Sequence, residues 1–197
     1  MISPRSAVFW LWLVWFSTWW LAAFWASRAA KRPRPGPGDF HRVFASVGFG
    51  LLFLPGFLAI GGRAAPAWLS RPLLGEGPLA RWLLVGLVIA SFGFCWWARL
   101  HLGRLWSGFT TVKADHHIVD TGPYGLVRHP IYTGVIAAAL FTAILEASLA
   151  GVLGFALIGL GFWMTARAEE RFLGETLGAE AYGAYRARVG MLLPGLG

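Results

Sequence analysis

Side chains able to do chemistry gather in two stretches of this 197-residue chain, 99–132 and 167–188. The core of the first reads His116-His117-Ile118-Val119-Asp120-Thr121-Gly122-Pro123-Tyr124-Gly125-Leu126-Val127-Arg128-His129-Pro130-Ile131-Tyr132-Thr133-Gly134. The Gly122-Pro123 step is a turn signal, and proline suits the first turn of a helix, so a helix should begin at Pro130. Arg128 and His129 then cap its N-terminus, where free N–H groups and the positive end of the helix dipole favour an anionic ligand group. A guanidinium beside that point can hold a carboxylate bidentately. Two basic residues that merely flank a span would also fit, but such a role needs neither the turn nor Tyr124 and Tyr132. The histidines at 116, 117 and 129 lack structural-zinc spacing and a nearby thiolate, so no metal is expected.

The second stretch opens Arg167-Ala168-Glu169-Glu170-Arg171-Phe172-Leu173 and continues through Gly178, Glu180, Tyr182, Tyr185, Arg186 and Val189 to Leu192-Leu193-Pro194. Taken alone, such a charge run is usually a solvated helix face with weak ion pairs. Leu173, Leu177, Tyr182, Tyr185 and Val189 form an apolar stripe broken by Gly178 and Gly183, which predicts one or two amphipathic helices lying at a surface.

Apolar helices must position these two stretches. Apolar residues make up 57% of the chain, mean hydropathy is +0.60 and 13% of residues are charged, against about 25% in soluble domains. Uncharged runs at 7–27, 43–62, 82–98, 130–145 and 147–166 approach or reach the roughly 20 residues that cross a bilayer. Backbone polar groups in hydrocarbon must be satisfied within each segment, so these runs predict helices. The first is too long for a cleaved leader and carries its basic cluster after the run, so it reads as a retained span. Only Glu146 separates the last two, which predicts a tight helical hairpin. Their ends then lie together, and Glu169 and Glu170 must fall near Arg128 and His129.

Five spans put the termini on opposite sides. With the C-terminus inside, thirteen Lys and Arg lie inside and four (Arg5, Arg63, Arg71 and Arg81) outside. The positive-inside bias therefore assigns the C-terminus and the 99–129 connector to the cytoplasm of an inner-membrane protein. The same bias explains a net charge of +8 through attraction to anionic headgroups. No nucleic-acid motif accompanies the basic balance, so nucleic acid is not expected as a partner. The fold class is an all-α, polytopic membrane helix bundle of about five transmembrane helices with a cytoplasmic C-terminal helical segment. Residues 1–80 form an N-terminal two-span region with the basic linker 31–38, and 81–197 form the functional core. The single Cys95 reads as mid-span packing. Six of twelve tryptophans crowd the first span; those near its ends suit the interface, and Trp15, Trp19 and Trp20 suit lipid contact or packing. Ala150 and Gly154 suit close helix approach, whereas Glu146 reads as a solvated turn residue. The spans carry essentially no ionisable group, which counts against a pump or channel.

Gly-Pro-Tyr-x-x-x-Arg-His-Pro-x-Tyr-x-Gly, followed by a span pair, Glu-Glu, and a Tyr-x-x-Tyr tail ending in Leu-Pro, resembles the isoprenylcysteine carboxyl methyltransferase family over about residues 84–195. Phospholipid N-methyltransferases share this core. The resemblance implies S-adenosylmethionine as cofactor, bound in a cytoplasmic pocket by His116, His117, Ile118, Val119, Tyr124, His129, Pro130, Ile131, Tyr132 and one of Glu169 and Glu170, with Arg128 placed to hold its carboxylate. It implies catalytic parts for Arg128, His129 and Glu170, and acceptor binding by Arg167. A polar position upstream of His116 in the eukaryotic enzymes has no counterpart, since Phe109 and its neighbours fall there. Methyl transfer needs alignment and exclusion of water rather than a metal. The acceptor is then a lipophilic molecule reached from the bilayer: a carboxylate first, with amines, quinone-like lipids and thiols open, and with monomer and homodimer both open. The rivals are a membrane-embedded nicotinamide-dependent reductase, whose sterol-type examples carry an Asn-Tyr-centred segment in place of Arg128-His129-Pro130, and a non-enzymatic membrane protein keeping the shell of the fold.

Overall fold

A computed structural model of the protein describes residues 2–23, 41–63, 66, 77–106 and 118–196. These residues form seven α-helices and no strand: α1 Pro4–Ala23, α2 His41–Ile60, α3 Pro78–Leu102, α4 Pro123–Leu126, α5 Pro130–Glu146, α6 Leu149–Leu177 and α7 Ala179–Arg188. A 3-10 turn, Gly103–Leu105, follows α3. Proline opens α1, α3, α4 and α5, as expected where the missing N–H would have no intrahelical partner anyway. The helices α3 and α6 are long and apolar enough to cross a membrane, and α5 is a shorter apolar helix.

The hairpin read from 130–166 is present, and its turn is tight. Ala147 adopts a left-handed conformation (φ 46°) that ends α5, and the Ser148 hydroxyl accepts from the Gly151 N–H at 3.1 Å to cap α6. Glu146 differs from its sequence reading. Arg5 lies 3.5 Å from its carboxyl and donates to its backbone carbonyl at 3.1 Å, because α1 begins at the same end of the bundle. At the opposite end Arg99 donates to the Ala22 carbonyl at 3.0 Å, which ties the end of α3 to that of α1.

Small residues set how closely the helices approach. A Cβ on Gly154 would lie 2.7 Å from the Gly48 carbonyl and 2.8 Å from the Leu52 nitrogen, so α2 and α6 touch backbone to backbone. A Cβ on Gly134 would lie 2.9 Å from the Ser91 carbonyl, which draws α5 onto α3 beside the buried Cys95. The core fills with Trp12, Leu52, Val88, Phe92 and Ile158. Trp12 donates its indole N–H to Thr142 at 3.0 Å, pinning α1 to α5. Trp10, Trp20, Leu83 and Leu100 face outward, as a lipid-facing surface requires.

Gly154→Leu should lower the melting temperature sharply, since overpacking costs about 1–3 kcal/mol and more against backbone. Gly159→Ala, with nothing within 4 Å of the new methyl, should leave it unchanged or raise it. A thiol-reactive dye reporting exposure of Cys95 during heating measures both, and equal melting would reject the close α2–α6 contact.

Candidate active site

The turn Gly122-Pro123, the single helical turn α4 and the start of α5 bring Tyr124, Arg128, His129 and Tyr132 to one end of the bundle. The last three turns of α6, beyond the apolar stretch that ends at Ala166, bring Glu169 and Glu170 to the same place. The juxtaposition expected from the hairpin is therefore present.

Arg128 is its centre. The buried guanidinium donates from Nε to Glu170 Oε1 at 2.6 Å and from Nη1 to the carbonyls of Arg186, at 3.1 Å, and Val189. Its backbone N–H donates to Gly190 O at 2.8 Å, and that of His129 to Met191 O at 3.1 Å. Thr133 adds a bond to Leu192 O at 2.8 Å. The C-terminal tail is thus sewn along the start of α5. It doubles back at Gly190, where a Cβ would come within 2.8 Å of Leu196 O.

The two glutamates separate by face. Consecutive helical residues point about 100° apart. Glu170 turns inward and is buried between Arg128, His129 Nε2 at 3.2 Å and Arg186 Nε at 3.4 Å. Glu169 turns toward an internal cavity and accepts from the Tyr132 hydroxyl at 2.8 Å, with His129 Nδ1 3.7 Å away. The His129 ring stacks parallel to Tyr132, centroids 5.3 Å apart, and so bridges both carboxyls. Burial alone would raise the Glu170 carboxyl, but hydrogen bonds and charge from His129 and Arg128 override it and hold it down at about 2. Burial pushes the phenols of Tyr124, Tyr182 and Tyr185 up, so they stay protonated donors. Tyr185 uses its proton on the Tyr124 carbonyl at 2.7 Å.

The cavity holds about 410 Å³, within the ~300–1,000 Å³ of small-molecule sites. Of the residues singled out in the sequence, Ile118, Val119, Tyr124, Arg128, His129, Pro130, Ile131, Tyr132 and Glu169 line it. Glu170 stands behind that wall. Arg167 lies on the exposed face of α6 over the Trp163 ring at 5.4 Å, away from the lining. His116, His117 and Phe109 fall outside the described residues. The stripe of Leu173, Leu177, Tyr182 and Tyr185 roofs the cavity, with Tyr182 and Tyr185 buried, rather than lying along a surface. Gly178, at φ 100°, breaks α6 from α7 and turns the stripe inward, whereas Gly183 sits unbroken inside α7.

The sequence reading missed other parts of the wall, among them Trp15 and Trp19 of α1, Arg42 of α2, Trp106, and Phe162 and Thr165 of α6. A signal for part of it was present. Trp12, Trp15 and Trp19 recur at helical spacing, which marks one inward face of α1.

Residues 84–175 match the isoprenylcysteine carboxyl methyltransferase (ICMT) family. The match, over just under half of the chain, bears out the resemblance read from the motif. No curated protein is similar enough to match the chain.

Because the Glu170 carboxyl is held below its ordinary value, its contribution to stability is full above about pH 4.3 and is lost as pH falls through about 2. Melting temperature should therefore fall on acidification from about pH 6 to about pH 3. Glu170→Gln should melt lower at the upper end and show a flatter acid limb. Parallel acid limbs for the two proteins would reject the assignment.

Proposed function

We propose that the protein is an integral membrane methyltransferase that uses S-adenosylmethionine and acts on a lipophilic, membrane-accessible acceptor, a carboxylate before an amine or a thiol. The observation that carries this reading is the cavity itself. Its wall combines the polar groups of Glu169, Tyr132 and Tyr124 with the apolar surfaces of Trp15, Val135 and Phe162. One chamber thus offers polar contacts for a charged cofactor and an apolar seat for a lipid.

The donor set fits the cofactor. Glu169 is a carboxylate for its ammonium or ribose hydroxyls. The first N–H groups of α5, at Ile131 and Tyr132, have no intrahelical acceptor and suit its carboxylate. Tyr124, Tyr182 and Tyr185 supply faces for adenine or the sulfonium. When bound, the cofactor supplies an electrophilic methyl group open to in-line displacement. The protein's part is to align the acceptor and keep water out. Arg128, in the wall, and Glu170, behind it, do this by fixing the tail and α7 as the roof. His129, held by both glutamates, keeps the Tyr132–Glu169 pair in register, and is the nearest base if the acceptor carries a proton.

We further place five spans across the bilayer, α1, α2, α3, α5 and α6, with the site and the C-terminus on the cytoplasmic side. The support is the thirteen-to-four split of basic residues and the gathering of the ends of α1, α3 and α6 and the starts of α2 and α5 at the site.

Calorimetric titration of the detergent-solubilised protein with S-adenosylhomocysteine should give saturable heat. Glu169→Gln should weaken binding about tenfold to a hundredfold, the worth of one hydrogen bond to a charged group, without lowering the melting temperature. No heat from the wild type would sink the cofactor reading, and undiminished binding by Glu169→Gln would remove that residue from it.

A further inference from the structure

Two buried side-chain polar atoms lack a hydrogen-bond partner among the described residues, Trp15 Nε1 and Arg99 Nε. They are not equivalent. Arg99 has its other N–H groups on Gly103 O at 3.1 Å and Ala22 O at 3.0 Å, and its guanidinium lies 4.0 Å over the Trp106 ring. Trp15 has a single donor, and it meets no acceptor among the described residues. Buried indoles ordinarily find an acceptor, because an unmet donor costs the full desolvation of the group. One turn earlier, Trp12 has done so on Thr142.

Trp15 is 6% exposed and lines the cavity. It is clamped between Trp19, centroids 4.9 Å apart, and Phe92, 5.2 Å apart, both near parallel, so the stack fixes the direction of its N–H. Val135 and Phe162 line the same cavity, and the Phe162 ring lies 5.1 Å from that of Tyr132. Arg42, on the first turn of α2, adds a cation to the wall.

We infer that the N-terminal helices, outside the matched segment 84–175, build the acceptor subsite, and that the Trp15 indole N–H is the hydrogen-bond donor that seats the acceptor's oxygen there. The inference rests on the methyltransferase reading above. An indole N–H has no lone pair, so it selects an oxygen with lone pairs over a protonated amine. Seating one oxygen orients the headgroup against the apolar surfaces of Val135 and Phe162.

The test uses the full-length protein, tritiated-methyl S-adenosylmethionine and the total lipid extract of the producing cells. Trp15→Phe, which keeps an aromatic ring and deletes the N–H, should raise the half-saturating concentration of extract about tenfold. Its maximal rate and its affinity for S-adenosylhomocysteine should stay within about twofold of the wild type. Mass spectrometry of the labelled lipid should place the new methyl on oxygen. If Trp15→Phe melts earlier, replacing the Trp15 indole by its sulfur isostere benzothienylalanine removes the N–H alone, with the same expectations. An unchanged half-saturation would overturn the inference, as would an equal loss of S-adenosylhomocysteine binding or label found on nitrogen. A wild type that binds S-adenosylhomocysteine yet labels no lipid overturns the acceptor subsite alone. A wild type that does not bind it overturns the methyltransferase reading with it.

Discussion

The buried pair of Arg128 and Glu170 is the contact on which the site depends. It joins a residue just before α5 to one on the extension of α6, and the same guanidinium gathers carbonyls from α7 and the tail. A buried ion pair is weak evidence for stability, since desolvation of both charges offsets much of their attraction. What it supplies here is geometry. Three chain segments distant in sequence must meet within hydrogen-bond reach of one planar fork, and few arrangements satisfy that. Lysine could not take its place, because an ammonium cannot direct donors to a carboxylate and to two carbonyls from a planar frame.

A second constraint, the close approach of helices, decides where the bundle is full and where it is not. Backbone contact at Gly48 and Gly154 brings α2 onto α6, and Gly134 brings α5 onto α3. With these pairs drawn tight, α1 fills the remaining gap with tryptophan rather than with a matching close contact. Trp12 is consumed by the core and by its bond to Thr142. Trp15 and Trp19, one and two turns further on, reach space that the closely paired helices leave open. The cavity thus follows from unequal packing: small residues on four helices, large flat ones on the fifth.

Much of this was legible in the sequence. Span lengths and the lone Glu146 required a hairpin, and the hairpin required Arg128 and His129 to meet Glu169 and Glu170. Other features were not legible, for reasons that are physical. Which glutamate faces the cavity depends on the rotation of α6 about its axis, and residues adjacent in sequence differ by about 100°. Only the burial of Glu170 against Arg128 fixes that phase. The apolar stripe of the C-terminal helices was visible, but a stripe does not say whether it meets lipid or protein. The left-handed Gly178 turns it onto the cavity. Trp15 was visible as a residue and silent as a function, since an idle donor exists only relative to neighbours on other helices.

The cavity wall draws on two parts of the chain. The matched segment 84–175, with the tail pinned to it, carries Glu169, Tyr132, Tyr124 and the roof. The N-terminal helices add Trp15, Trp19 and Arg42 to the wall. On the proposed reading, this division suits a reaction with one polar, constant partner and one apolar partner that arrives through lipid. The polar partner needs a charged, hydrogen-bonded frame, which tolerates little change because every buried polar group must keep its mate. The apolar partner needs volume and a single orienting contact, and both can be set by side chains of α1 without disturbing that frame. On the proposed methyltransferase reading, specificity for the acceptor is to be sought in the helices outside the matched segment.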